Sequence, residues 1–469
     1  MASVNCWRCL LRPSAGVPAA PQRIVPIMIA SAQFSTSAQV AKTQAKASGT
    51  GQHQRAGKKM QLGKFKKKKV EKTKSPAPGE RKAFRKRIVL SNNNALEVPG
   101  LDTLSAETMA DSANAGKVFS IPDKLVDQLR ASEAFKATQT WGLFRSPHVL
   151  LRSETADLAK KMQAAADKKE ALRLVISGDR LSGKSTLLLQ ALANGFLNDW
   201  IVVNIPEAQE LTTACTEYAA IPGTDPVQWM QPNYALKMIQ AIRKSNEHIL
   251  SKLTVVKSHD NLINPVAQGS TVLALADTAR EADGAWAIFQ ALWSELTVKG
   301  EGRPPFLFAL DGLSHIMKIS DYRSPAFELI HSHDLAIVGS FVDMLSGRTA
   351  LPNGGAVIAA MSGNNSPRSP SVELALVQRL AEQEGADVPP RDPFSRKYDE
   401  RVDAALKSVE VLKVNAISKT DARALMEYWA ASGLLRQRVD ELSVTEKWTL
   451  GGNGVLGEME RAALLTMKL

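Results

Sequence analysis

The chain has 469 residues, 44% of them hydrophobic, three cysteines and a formal net charge of +12. That length allows two or three domains of ordinary size, each with a core of its own. The longest apolar stretch, Ile24 to Ala30, is interrupted by Pro26 and falls far short of the roughly 20 residues a membrane span requires. Three cysteines are too few for a disulfide framework and fit a reducing compartment.

The charge is unevenly placed. Residues 1–87 carry 20 Lys or Arg against Glu71 and Glu80, a net of +18, and the remainder holds 39 basic and 45 acidic side chains, a net of −6. Residues 1–57 contain no acid, hold Arg8, Arg12 and Arg23, and are rich in Ala and Ser. An Arg-rich, Ser-rich, acid-free start is the signature of a mitochondrial transit peptide, with cleavage expected near Phe34 to Lys42. Pro21 and Pro26 spoil the apolar core a secretory signal needs. Cys6 and Cys9 have metal or redox spacing, but no second pair and no nearby histidine joins them, so they read as part of the leader.

Residues 42–87 follow with Lys58, Lys59, Lys64, Lys66 to Lys69, Arg81, Lys82 and Arg85 to Arg87 among Gly, Pro and Ser. Such a stretch cannot bury enough surface to fold alone. Two readings stand: a solvated tail, or an RNA contact that works by neutralising phosphates. Phe65 and Phe84 could stack on bases.

From about residue 95 the composition becomes globular. Residues 120–165 read as a mainly helical lead-in, with Trp141, Phe144 and Pro147 marking an irregular packed stretch. Leu172 to Ser177 is a short apolar run expected to be a buried parallel strand. It leads into Gly178-Asp179-Arg180-Leu181-Ser182-Gly183-Lys184-Ser185, then Thr186 and an apolar helical stretch to Leu197. This is G-x-x-x-x-G-K-[ST] between a strand and a helix, the context that a phosphate-binding loop demands. The glycines permit a turn whose N–H groups point at phosphate oxygens, and the helix N-terminus adds partial positive charge. Lys184 is expected to reach the β and γ phosphates and the Ser185 hydroxyl to ligate Mg²⁺.

Trp286, Phe289, Leu292, Trp293 and Leu296 recur at helical spacing and read as one buried helix face. Pro305 to Leu310 is a second apolar strand, ending in Asp311-Gly312. Asp311 is the candidate metal-side acid. Vigorous ATPases of the AAA type place a Glu after that Asp to activate water. Gly312 stands there instead, so hydrolysis is expected to be slow or absent. Gly354 to Ala360 forms a further strand, followed by Ser362, Gly363 and Asn364; Asn364 is either a γ-phosphate sensor or part of a plain turn.

Ser362 to Pro393 reads as a loop with a short helical patch from Val372 to Glu384, and residues 408–469 as a helical C-terminal unit. Ser418-Lys419-Thr420-Asp421 resembles a base-reading motif of GTPases, yet Ser418 and Asp421 have helix-capping spacing, and the cap is the reading adopted. Histidines and acids show no metal-ligand spacing, and there is no internal repeat.

With these features in view, the chain resembles a fungal member of the death-associated protein family, P-loop GTP-binding proteins of the mitochondrial small ribosomal subunit. The resembling stretches are Val175 to Leu188, Phe306 to Leu313, Asp321-Tyr322-Arg323, Asp334 to Phe341, Gly354 to Ser362, and Leu450 to Arg461 with Gly451-Gly452-Asn453. The resemblance implies an α/β fold: an AAA-like P-loop NTPase parallel-sheet core with a helical C-terminal domain, preceded by a disordered basic tail. It also implies bound GTP or GDP (ATP as the alternative) with Mg²⁺, small-subunit ribosomal proteins and rRNA as partners, and a mitoribosomal place in the matrix.

The expected divisions are transit peptide 1–41, basic tail 42–94, helical lead-in 95–165, nucleotide-binding core 166–362, linker 363–407 and helical domain 408–469. The competing reading is a matrix AAA-type ATPase or GTPase that remodels other molecules. Gly312, and the lack of a clear arginine finger around Arg323 or Arg348, favour the ribosomal one.

Overall fold

A computed structural model describes residues 88–300, 302–363, 366–395 and 398–465. The expected transit peptide, the basic tail up to residue 87, Cys6, Cys9, Phe65, Phe84 and Asn364 lie outside those residues.

Five strands form the central sheet: β1 Ala171–Gly178, β2 Ile201–Ile205, β3 Phe306–Asp311, β4 Gly355–Ala360 and β5 Glu410–Val414. Their spatial order is β5-β1-β4-β3-β2, and every neighbouring pair runs parallel. All residues of β3 and β4 are buried, as expected for parallel strands covered on both faces, which read as near-continuous apolar runs.

Alternation along the strands divides the core in two. Leu174, Ile176, Leu307, Ala309 and Ile358 pack with α1 Asp123–Ala131, α2 Ser153–Lys168 and α3 Lys184–Leu197, through Leu129, Met162 and Leu188. Val175, Val203, Phe308, Leu310 and Val357 face the opposite layer. That layer contains α4 Pro232–Ser245, α5 Ala285–Leu296, α6 Ala336–Ser346, α7 Pro370–Glu384 and α8 Glu400–Leu406.

A third cluster joins α9 Lys419–Ala431, α10 Glu441–Leu450 and α11 Leu456–Glu460 to Phe144 and Leu150 of the lead-in. The anticipated aromatic stripe is a helix face in α5, with Phe289, Leu292 and Leu296 buried and Trp286 and Trp293 packed at the edge of the core.

Three expectations need correction. Residues 363–407 are not a plain linker: the helical patch expected from Val372 to Glu384 is α7, α8 adds a second helix, and together they bury Val372, Ala375, Leu376, Val402 and Leu406. Residues 408–469 are not purely helical, because Glu410–Val414 is the edge strand of the central sheet, paired with β1 from Glu410 opposite Leu174 to Val414 opposite Gly178. Glu410 and the exposed Lys413 among three apolar residues suit an edge strand, where charged side chains guard the open side of a sheet. The lead-in also contains two short antiparallel strands, Val118–Ser120 and His148–Leu150. No helix among the described residues is long and apolar enough to cross a membrane.

Candidate functional site

The carboxyl ends of β1 and β4 open onto one cavity of about 280 Å³, close to the lower end of the roughly 300–1,000 Å³ typical of small-molecule sites. Its floor is the loop between β1 and α3. Gly178 has φ 147° and a side chain there would place Cβ 2.7 Å from the Val414 carbonyl oxygen of β5. Only glycine fits that backbone and that contact.

The loop swings through Leu181 at φ 63° and Gly183 at φ 99°, and α3 starts at Lys184. The first N–H groups of a helix have no partner within it and, with the helix dipole, face the cavity mouth as an anion site. Lys184 is 5% exposed, and its ammonium lies across the loop, donating to Gly178 O at 2.9 Å and Asp179 O at 2.5 Å. Burial pushes its pKa down, while the negative charges of Asp179 and Asp311 pull it back up.

All the loop residues proposed from sequence, Gly178 through Thr186, are therefore brought together. Arg180, Leu181, Gly183, Lys184, Ser185 and Thr186 line the cavity. Asp179 is exposed, and Ser182 packs beneath the loop, 3% exposed, with its hydroxyl oxygen buried and unpartnered.

Asp311 ends β3, opposite Ala360 of β4. It is 3% exposed; its Oδ2 takes the Lys136 ammonium in an ion pair, and its Oδ1 is buried with no hydrogen-bond partner. A buried carboxylate oxygen left unpaired is costly, and a magnesium ion or its water shell would satisfy it. The Asp311 carboxylate, close enough to Lys184 to act on its charge, and the Ser185 hydroxyl are oxygen donors of the hard kind Mg²⁺ takes. Among the described residues, no group of three or more His, Cys, Asp or Glu is arranged to hold a metal by itself.

Gly312 has φ 93°, and an added Cβ would lie 3.3 Å from His315 Cδ2. The position resists a side chain, so the missing glutamate is built into the backbone conformation. Ser362 and Gly363 follow β4 at this end, Gly363 lining the cavity with Ser362. Ser418 caps α9, accepting from Asp421 N at 3.1 Å, so its motif is structural.

Three features were invisible to motif reading. Arg152, 8% exposed, donates to the loop carbonyl of Ser182 at 2.9 Å, to Asn415 O at 2.5 Å and to Glu154 at 3.1 Å. Glu154 in turn accepts from Asn415 N at 3.1 Å, so this clasp ties the lead-in, the loop and the end of β5 together. Gly457 N of α11 donates to Leu181 O at 2.9 Å, setting the C-terminal helix directly on the loop.

The aromatic part of the cavity lining is the third feature. It is formed by Trp141, Phe144, His148 and Trp429 and carries Glu460, which accepts from the Thr140 hydroxyl. Burial pushes the Glu460 carboxyl up, against the opposing pull of Thr140 and Arg461. The sequence signals for that wall were Trp141 and Phe144, read as an irregular packed stretch, and the stretch Leu450 to Arg461; nothing marked Lys136, Thr140 or Arg152.

Residues 149–462 match the family described as mitochondrial ribosomal death-associated protein 3. A Neurospora crassa protein named small ribosomal subunit protein mS29 is 56% identical over 473 residues, covering 100% of both chains. The Schizosaccharomyces pombe protein of the same name is 24% identical over 362 residues, 75% of this chain and 72% of that one.

Proposed function

The chain belongs to the mitochondrial ribosomal death-associated protein 3 family, and from that membership we propose that it is a structural component of the mitochondrial small ribosomal subunit that holds a guanine nucleotide. The observation that carries the nucleotide part is the loop of Arg180 to Thr186 lining one cavity, with Lys136 of the same lining joined to the buried Asp311. Its seat is the matrix mitoribosome, in keeping with the names of both fungal relatives. The sheet order β5-β1-β4-β3-β2, with loop and acid at the ends of β1 and β3, supports an AAA-like P-loop core.

In this reading the loop N–H groups from Gly178 to Thr186 and those at the N-terminus of α3 donate to the phosphate oxygens. Lys184 leaves its two carbonyls to meet the β and γ oxygens. Ser185 and Asp311 would hold Mg²⁺, which would screen phosphate charge when bound. Asn364 after β4 remains the proposed γ-phosphate contact.

The purine lies against the aromatic wall. Glu460 supplies an acceptor there: a carboxyl oxygen accepts, and guanine offers N1–H and a 2-amino group where adenine offers an acceptor. Lacking a water-orienting side chain at Gly312, the protein retains nucleotide rather than turning it over. The basic stretch of residues 42–87 contacts rRNA, residues 1–41 are the import leader, and small-subunit proteins are the remaining neighbours.

Sedimentation of tagged protein in mitochondrial extract tests the placement. Co-migration with the small subunit is the expected result. A free hexamer with rapid nucleotide hydrolysis, on the order of 1 s⁻¹ or faster, would replace it with the remodelling enzyme.

A further inference from the structure

Lys136 lies in the lead-in, outside every recognisable motif, yet its ammonium reaches across 175 residues of sequence to Asp311 Oδ2. The partners are 22% and 3% exposed at their side chains. Lys136 also lines the cavity beside Lys184 and Ser185.

Its backbone is held firmly. Gln139 Oε1 accepts from Lys136 N at 2.9 Å and from Trp141 Nε1 at 2.6 Å, and Gln139 N donates to Lys136 O at 3.1 Å. Phe135 meets Trp141 edge-on at 5.2 Å between centroids. The anchor is fixed and the four-carbon stem is free to swing.

One carboxylate oxygen is thus already taken by a cation, and its twin is buried and unpaired. A metal ion arriving at Asp311 meets an ammonium already there, and two cations repel strongly in a water-poor site. We propose that Lys136 is a tethered counter-ion of Asp311 that competes with Mg²⁺ for this carboxylate, and that in the absence of the metal it stands in for it between Asp311 and the nucleotide phosphates. The proposal rests on the nucleotide reading above. It adds a monovalent cation, carried by the chain itself, that lets the site hold a nucleotide without metal.

The competition gives a signature that a merely structural lysine lacks. Lys136→Met removes the competitor, so the Mg²⁺ concentration needed for half-maximal GDP retention should fall by about tenfold. The same substitution removes the substitute cation, so GDP affinity measured in EDTA should weaken, also by about tenfold. Lys136→Arg, keeping the charge, should stay near wild type in both.

The measurement is a fluorescence titration of GDP carrying a ribose label against the full mature chain, with Mg²⁺ varied from chelator to millimolar. Thermal melting shows that each variant is folded. Opposite shifts in the two conditions support the proposal. Weakening by the same factor with and without Mg²⁺, or no change in either, overturns it while leaving the nucleotide site standing. No GDP binding by the wild type in any condition overturns the nucleotide reading itself.

Discussion

The phosphate end of the cavity is one continuous stretch of chain, Gly178 to Thr186, whereas the aromatic end joins Thr140 to Glu460, 320 residues apart. The first is shaped by backbone: a glycine at φ 147°, another at φ 99°, and a helix N-terminus. The second is shaped by side chains from the lead-in and the C-terminal helices, held together by the cluster of Phe144, Tyr428, Trp429 and Met459. A local loop keeps its geometry when distant contacts are lost. An assembled wall has no such reserve, and its ligand preference depends on the packing that brings its parts together.

The largest effect is expected where the two ends meet. Arg152→Ala would leave Glu154 buried without its charge partner and two carbonyls without their donor. Breaking a buried pair from one side costs about 3–5 kcal/mol. Denaturant unfolding should show a loss of that size, with weaker nucleotide binding at both ends; a loss under about 0.5 kcal/mol, the range of an ordinary surface change, would mean the clasp does not join them.

Lys184→Ala tests the phosphate end alone. Losing a charged contact to phosphate should weaken GDP by about 100-fold or more, and with it the roughly 2.7 kcal/mol of stabilisation that ligand at 100 times Kd provides. A variant that melts with GDP as the wild type does would remove the loop from the site.

The smallest effect belongs to the assembled wall. His148 lies between Phe144 and Tyr428, centroids 4.3 and 4.2 Å away, and burial pushes its pKa from 6.5 down to about 3. Above pH 6.5 both folded and unfolded chains leave it neutral, and stability does not depend on it. As pH falls below that value only the unfolded chain binds the proton, so stability drops by roughly 1.4 kcal/mol per unit, about 2 kcal/mol by pH 5. His148→Phe should flatten that part of the stability–pH curve relative to wild type; an unchanged slope would show the ring protonates freely in the fold.

The contrast also explains what the sequence could disclose. The loop, Asp311, the aromatic face of α5 and the Ser418 cap each depend on spacing within a few residues, and spacing is visible in a linear chain. Glu410–Val414 hid its role because five residues beside helical stretches do not show which sheet edge they extend. Helix α7 was legible as the patch from Val372 to Glu384, whereas α8 hid behind a Pro-rich stretch that resembles a linker. Lys136, Arg152, Thr140 and Glu460 act through partners brought close only by folding, so no local pattern pointed to them. Gly312 was legible as a missing glutamate, but its positive φ, which makes restoring one a strained substitution, was not.

The central claim is that the two ends together select a guanine nucleotide, and calorimetric titration of the mature protein with GDP and with ADP, both in Mg²⁺, tests it most directly. The account predicts one site per chain and a preference for GDP of about tenfold or more, the cost of facing Glu460 with an acceptor instead of two donors. Equal affinity for the two nucleotides, or no heat with either, would contradict it.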